Sequence, residues 1–295
     1  MRISRRQLIA LGLATPASVV FEAGTKAEEQ TNQTIRVGDI DIGYRVTGSG
    51  EPLLLVMGFR GTMETWDPTF VSALAEHYQV ITFDNRGIGS SSSDGKYPFS
   101  QLADDTAELI HALGFESINV FGWSLGAMIA LDLAIRHSDV VSKIVLHGGD
   151  AGGSDAVQAS GDAFQDLFDA SKSGEDRTEL DIDLLLPPDW VEAHRDYVDE
   201  VFSRPPGKIQ PEGILFQAST LIDWYRDNHD ASTVTAPTLI LHGTEDIVIP
   251  VANSQLLADA ISRSWLVRMP GGHGLQYQVP RELASITNTF LQSSV

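Results

Sequence analysis

Residues 117–137, SINVFGWSLGAMIALDLAIRH, decide how this chain is read. Ile118, Val120 and Phe121 make a short apolar run suited to a buried strand, while Ala127, Met128, Ala130, Leu131 and Ala134 recur at helical spacing. Between them lies Gly122-Trp123-Ser124-Leu125-Gly126, so Ser124 falls on a strand-to-helix turn. Glycines two residues to either side remove the Cβ atoms such a turn would crowd, and the hydroxyl is lifted over the sheet edge toward a cleft. A G-x-S-x-G string is common by chance in a glycine-rich chain. Its weight comes from the strand and helix around it and from residues far downstream.

Working outward toward the N-terminus, Ser100 can cap a helix running through Leu102, Leu109, Ile110 and Leu113. Asp84-Asn85-Arg86-Gly87-Ile88-Gly89 is a glycine-bearing loop after a buried strand at 79–83, and a helix is expected over 66–78. Pro52 to Met57 reads as a strand covered on both faces and leads into the loop Gly58-Phe59-Arg60-Gly61. Alternating runs at 34–37 and 40–46 predict a hairpin, hence an antiparallel start.

On the other side, Val141 to His147 is a further strand ending in Gly148-Gly149-Asp150. From 151 to 231 no β-type run appears; amphipathic pieces are broken by Pro187-Pro188 and Pro205-Pro206-Gly207. Alternation resumes with strands at 238–242 and 265–269 and helices near 251–261 and 281–291. The expectation is an α/β fold: a mostly parallel, doubly wound sheet formed by 28–150 and 232–295, with a helical lid inserted over 151–231.

Residues 1–27 carry Arg2, Arg5 and Arg6 ahead of an uncharged stretch from Gln7 to Phe21, the layout of an export signal. Ser4-Arg5-Arg6-Gln7-Leu8-Ile9 resembles a twin-arginine signal, with the general secretory route as the alternative and cleavage after Ala27 or Ala23. The apolar stretch is shorter than the ~20 residues a spanning helix needs. An exported protein, periplasmic or extracellular, is therefore expected. The 295 residues include no cysteine, which excludes disulfides and a thiol nucleophile. The formal charge is −20, and beyond residue 27 there are 16 basic residues against 39 acidic ones, a balance of −23. With no basic stripe to neutralise phosphates, nucleic acid is disfavoured as a partner. No histidine–carboxylate cluster suggests a metal, and no cofactor is implied.

Over nearly everything after residue 34 the chain resembles the α/β-hydrolases, in which nucleophile, acid and histidine follow in that order. The resemblance implies Ser124 as nucleophile, Asp246 in His242-Gly243-Thr244-Glu245-Asp246 as acid, and His273 in Gly271-Gly272-His273-Gly274 as base. A serine hydroxyl is a poor nucleophile at neutral pH; an imidazole must take its proton, and a carboxylate must hold that imidazole in the right tautomer. Asp150, also ending a strand, is the alternative acid. By resemblance the oxyanion donors are the backbone N–H groups of Leu125 and Phe59, although Met57-Gly58 stands where many relatives have His-Gly. The turn at 84–89 matches the family's D-x-R-G-x-G, with Asp84 and Arg86 expected to pair. Trp123 is read as pocket lining or packing alike. Arg60, the cation nearest the oxyanion loop, is read as a surface or ion-paired residue ahead of a pocket contact.

The family implies a hydrolase acting on an ester or lactone of a small, largely apolar molecule through an acyl-enzyme. Perhydrolase or haloperoxidase-like chemistry, carbon–carbon bond hydrolysis and hydroxynitrile lysis are the alternatives on the same residues. A non-catalytic binding protein is the rival from another class.

Overall fold

In the computed structural model, residues 32–294 apart from 160 and 209 are described; the export signal expected over 1–27 lies outside them. Strand β3 (Glu51–Val56) shows how the fold is built. Leu53, Leu54, Leu55 and Val56 are all fully buried, yet they serve two different cores: Leu54 and Val56 enter one, Leu53 and Leu55 the other. Successive side chains on a strand point to opposite faces, so an uninterrupted apolar run belongs to a sheet covered on both sides. The same parity runs through β5 (Ile118–Trp123), where Ile118 and Val120 face the first core and Phe121 and Trp123 the second. It continues in β6 (Val141–His147) and β7 (Thr238–Gly243): Ile144, Leu146 and Ile240 on one side, Val145, Leu239 and Leu241 on the other.

With β1 (Gln33–Val37), β2 (Ile40–Thr47), β4 (Tyr78–Phe83) and β8 (Ser264–Met269), these strands make one eight-stranded sheet in the order β1-β2-β4-β3-β5-β6-β7-β8. β2 pairs antiparallel with both β1 and β4, and every other pairing is parallel. Helices α2 (Phe99–Ala112), α3 (Leu125–Arg136) and α9 (Ala252–Ala260) cover the first core; α1 (Pro68–Ala75), α10 (Leu275–Gln278) and α11 (Pro280–Leu291) cover the second. All the parallel strands end on one edge, where an open sheet of this kind gathers its ligands.

Between β6 and β7 the chain forms α4 (Ala163–Leu167), α5 (Gly174–Leu185), α6 (Pro188–Ala193), α7 (Arg195–Phe202) and α8 (Pro211–Arg226), with no strand among the described residues. This helical insertion packs against both cores: Leu184, Leu221 and Trp224 join the first, Ile182, Val198 and Val201 the second. Only an element seated across an edge of the sheet can reach both.

Three local expectations are corrected. The helix expected over 66–78 is shorter: the Asp67 side chain accepts from Phe70 N at 2.9 Å, Pro68 takes the first helical position, and Tyr78 already opens β4. Ser100 does not cap α2, which starts at Phe99 behind Pro98. Asp84 and Arg86 do not pair. The Asp84 carboxylate turns inward and accepts from Met63 N and Ser90 N, each at 2.7 Å. A Cβ at Gly89 would lie 2.1 Å from that carboxylate, so the glycine makes room for it. Arg86 points the other way and grips Asp105 of α2 through two hydrogen bonds of 2.7 Å, with Asp39 at 2.8 Å and Asp94 at 3.0 Å. Its guanidinium is thereby held above its ordinary pKa, chiefly by the Asp105 hydrogen bonds.

Candidate active site

β5 ends on Trp123, and Ser124 follows in a conformation with φ 58° and ψ −123°. Among the described residues only Ser124 and Arg60 are non-glycines at positive φ. Such a conformation costs about 1–3 kcal/mol and persists only where the surroundings enforce it. Here Ser124 N donates to His147 O at 2.9 Å, extending the β5–β6 pairing onto the turn, and Ser124 O accepts from Ala127 N at 2.8 Å. The flanking glycines contribute space, since a Cβ on Gly122 would lie 2.2 Å from Gly126 O and one on Gly126 would lie 2.0 Å from Val56 O. From Ile118 to Ala134 every residue is buried except Ser124.

Asp246 sits in the loop after β7 and is fully enclosed. Its Oδ1 accepts from Val248 N at 2.9 Å and Ile249 N at 2.8 Å, while Oδ2 lies 2.7 Å from His273 Nδ1 and 3.3 Å from His242 Nε2. Burial by itself would raise this carboxyl, but the His273 and His242 imidazoles outweigh it and hold the group well below the ordinary carboxylate range. A carboxylate only accepts, so Nδ1 of His273 carries a proton, and in the neutral ring Nε2 keeps its lone pair. That Nε2 is buried and has no hydrogen-bond partner among the described residues. The His273 loop is fixed by Trp123 Nε1, which donates to His273 O at 2.9 Å, and by Gly274 N, which donates to Leu185 O of α5 at 2.8 Å.

Asp150, at the end of the neighbouring strand, makes no hydrogen bond to an imidazole among the described residues. It accepts from Trp224 Nε1 and Tyr225 Oη of α8, each at 2.9 Å, and from Gly152 N at 2.8 Å. Burial raises its pKa against these three donors.

Ser124 opens on a narrow cavity walled by Phe59, Leu125 and Met128 from the core, Phe164, Phe168, Leu221 and Tyr225 from the insertion, and Val248 and Ile249 beside Asp246. Among the described residues that line it none is charged, and Ser124 and Tyr225 alone carry polar side chains. The backbone N–H groups of Phe59 and Leu125 form no hydrogen bond with the described residues. Trp123 does not line this cavity; its indole packs against Trp66, His273 and Tyr277. Neither does Arg60, a half-buried side chain whose pKa is lowered by burial and then by the charge of Arg177. A wider depression lined by Asp162, Asp166 and Asp183 has no serine or histidine among its described lining residues.

A family model for the alpha/beta hydrolase fold matches residues 51–280. The chain belongs to the α/β-hydrolase family. It is 29% identical over 241 residues to the putative carbamate hydrolase RutD of Serratia proteamaculans, covering 79% of this chain and 89% of that one. With the serine hydrolase BPHL of Mus musculus it shares 27% identity over 270 residues, 89% of this chain and 87% of the mouse protein. Among solved structures, an α/β-hydrolase fold protein from Chitinophaga pinensis superposes with a TM-score of 0.79 at 24% identity, covering 90% of this chain and 98% of that one. The enol-lactonase from Burkholderia xenovorans LB400 gives 0.75 at 20% identity, with 88% and 100% covered. The protein is thus a serine hydrolase of this family.

Three features of this α/β-hydrolase site had no sequence signal in the motifs. His242 supplies a second imidazole to Asp246. His147 is wholly buried beside Trp123 with neither ring nitrogen partnered among the described residues, and burial, followed by the nearby His273 and His242, lowers its pKa so that it stays neutral. Tyr225 reaches the cavity from α8 while tied to Asp150.

Proposed function

We propose that this hydrolase cleaves carboxylic esters or lactones of small, neutral, largely apolar molecules, with Ser124, His273 and Asp246 as its triad. One observation carries the reading: the one residue from Ile118 to Ala134 that is not buried is a strained serine, in a fold that also presents an imidazole with a free Nε2 and its Nδ1 held by a buried carboxylate. Ser124 Oγ attacks the carbonyl carbon while His273 Nε2 takes its proton, and the carbonyl π pair moves onto oxygen. The Phe59 and Leu125 N–H groups stabilise that oxyanion, each worth about 10²–10³ in rate. Collapse breaks the bond to the alcohol oxygen, which leaves with the proton from His273. Water then attacks the acyl-Ser124 ester by the same route, its proton passing through His273 to Ser124. The uncharged, aromatic cavity wall favours an apolar acyl or alcohol group and gives an anion nothing to pair with.

A fluorophosphonate probe should label Ser124 and no other residue, and turnover on an ester panel should disappear in Ser124→Ala. Labelling that survives that substitution would remove the assignment, and an unlabelled wild-type chain would favour a binding protein.

The reading extends to location: the paired arginines ahead of an uncharged stretch support export by the twin-arginine route. Arg5→Lys with Arg6→Lys should hold the precursor in the cytoplasm; normal export of the double variant would point to the general secretory route.

A further inference from the structure

We infer that Gln217, on helix α8 of the insertion, is a positioning residue that holds the oxyanion turn in its working shape. The inference rests on the reading of Ser124 as nucleophile and of the Phe59 and Leu125 N–H groups as oxyanion donors.

The turn is Gly58-Phe59-Arg60-Gly61, closed by Gly61 N donating to Gly58 O at 3.3 Å. Its third residue, Arg60, stands at φ 65°. A four-residue turn with positive φ at that position is of type II, where glycine is strongly preferred because a Cβ is strained there. An arginine does not adopt it unaided. The turn also lies directly on the nucleophile, since a Cβ on Gly58 would come within 3.1 Å of Ser124 Cβ. A relaxed Arg60 would rotate the peptides around it and carry the Phe59 N–H away from the carbonyl oxygen it serves.

Gln217 supplies the missing constraint. Its Oε1 accepts from Arg60 N at 2.8 Å across 157 residues of chain. The amide orientation is fixed by chemistry, because only the oxygen can accept from an N–H. Gln217 is fully buried and its Nε2 has no partner among the described residues, so its side chain makes this one hydrogen bond. A buried amide with an unmet donor is destabilising, and an aliphatic residue would serve packing better. One helical face of α8 presents residues 217, 221 and 225, spaced at i, i+4 and i+8. Leu221 and Tyr225 of that face line the cavity. The helix that covers the substrate therefore also holds the group that stabilises the developing charge.

Gln217→Met keeps the volume and removes the acceptor. Measured on a short neutral ester such as p-nitrophenyl acetate with the full chain, kcat should fall by about 10- to 100-fold, below the 10²–10³ ceiling for losing one donor. KM should change by less than about twofold, because the lost interaction belongs to the transition state. Adding Arg60→Gly, which lets the turn form without help, should recover most of the loss. Packing damage alone would not be recovered in this way. Should Gln217→Met not fold, Gln217→Asn, one methylene shorter, carries the same test. Wild-type kcat in the variant, or a loss that Arg60→Gly does not recover, would overturn the inference. A wild-type chain that fails to react at Ser124 would instead overturn the reading beneath it, a result the labelling experiment separates from the first.

Discussion

Asp246 and Asp150 end adjacent parallel strands, both are buried, and each accepts three or more hydrogen bonds, yet they are opposite in kind. Asp246 faces two imidazoles and is held as a carboxylate below its ordinary range; Asp150 faces an indole, a phenol and an amide, and its pKa is raised. Neutral donors satisfy a carboxylate's lone pairs without balancing its charge, whereas an imidazole that can become a cation does both. The loop after β7 is thus suited to the role proposed for Asp246, stabilising a positive charge on His273, and the loop after β6 to holding α8 against the sheet.

The largest effect expected from this contrast is on turnover. Asp246→Asn should lower kcat by about 10³–10⁴, since the amide permits the wrong His273 tautomer. Asp150→Asn keeps an oxygen to accept from Trp224 Nε1 and Gly152 N and places an NH2 that can donate to Tyr225 Oη, so it should cost less than about tenfold. Steady-state kinetics on one ester decides it, and the reverse ranking would exchange the two roles.

Next in size is a stability effect. Asp150→Ala strands three donors, Trp224 Nε1, Tyr225 Oη and Gly152 N, at about 1–3 kcal/mol each, so denaturant unfolding should show a loss of at least about 3 kcal/mol. An unchanged midpoint would mean that Asp150 does not anchor the insertion.

Asp132, on the elbow helix α3, takes the contrast to its limit. It lies 3.6 Å from Arg136, its Oδ2 has no hydrogen bond among the described residues, and burial pushes its pKa up to about 6 against the pull of Arg136. A carboxyl that binds its proton more tightly when folded makes the native state most stable below its unfolded pKa of 3.8, and that stability is lost as pH rises to about 6. At about 1.4 kcal/mol per unit the loss is on the order of 2–3 kcal/mol. Asp132→Asn should therefore raise Tm by a few degrees at pH 7.5 and leave it unchanged near pH 4. Equal shifts at both values would show that charge is not the cause.

What was legible in the sequence follows the reach of each signal. Ser124 could be placed on its turn from neighbours within ten residues, and the alternating strands and helices gave the sheet. Asp246 and His273 stood out by their order along the chain, and the fold brings them to 2.7 Å. Asp84 and Arg86 misled because adjacency suggested pairing, whereas the turn sends one side chain inward to backbone N–H groups and the other out to α2. Gln217, Trp224 and Tyr225 could not be read at all. Their contacts to Arg60 and Asp150 span 157, 74 and 75 residues and follow no period, being set by how an insertion without strand pairing settles on the edge beneath it.

The odd–even division of β3, β5, β6 and β7 between two cores sets a rule for changes in chain length. Deleting one residue inside β5 would turn half of the strand to the wrong side, exchanging Phe121 and Trp123 for Ile118 and Val120. Deleting two would restore the alternation but draw Ser124 back by about 6.6 Å along the strand, out of line with the imidazole it must reach. Insertions and deletions are tolerable only in the connections, and the widest of these, between β6 and β7, is also the roof over the cavity. Gain or loss of residues can therefore reshape what the enzyme admits while the reacting groups keep their places.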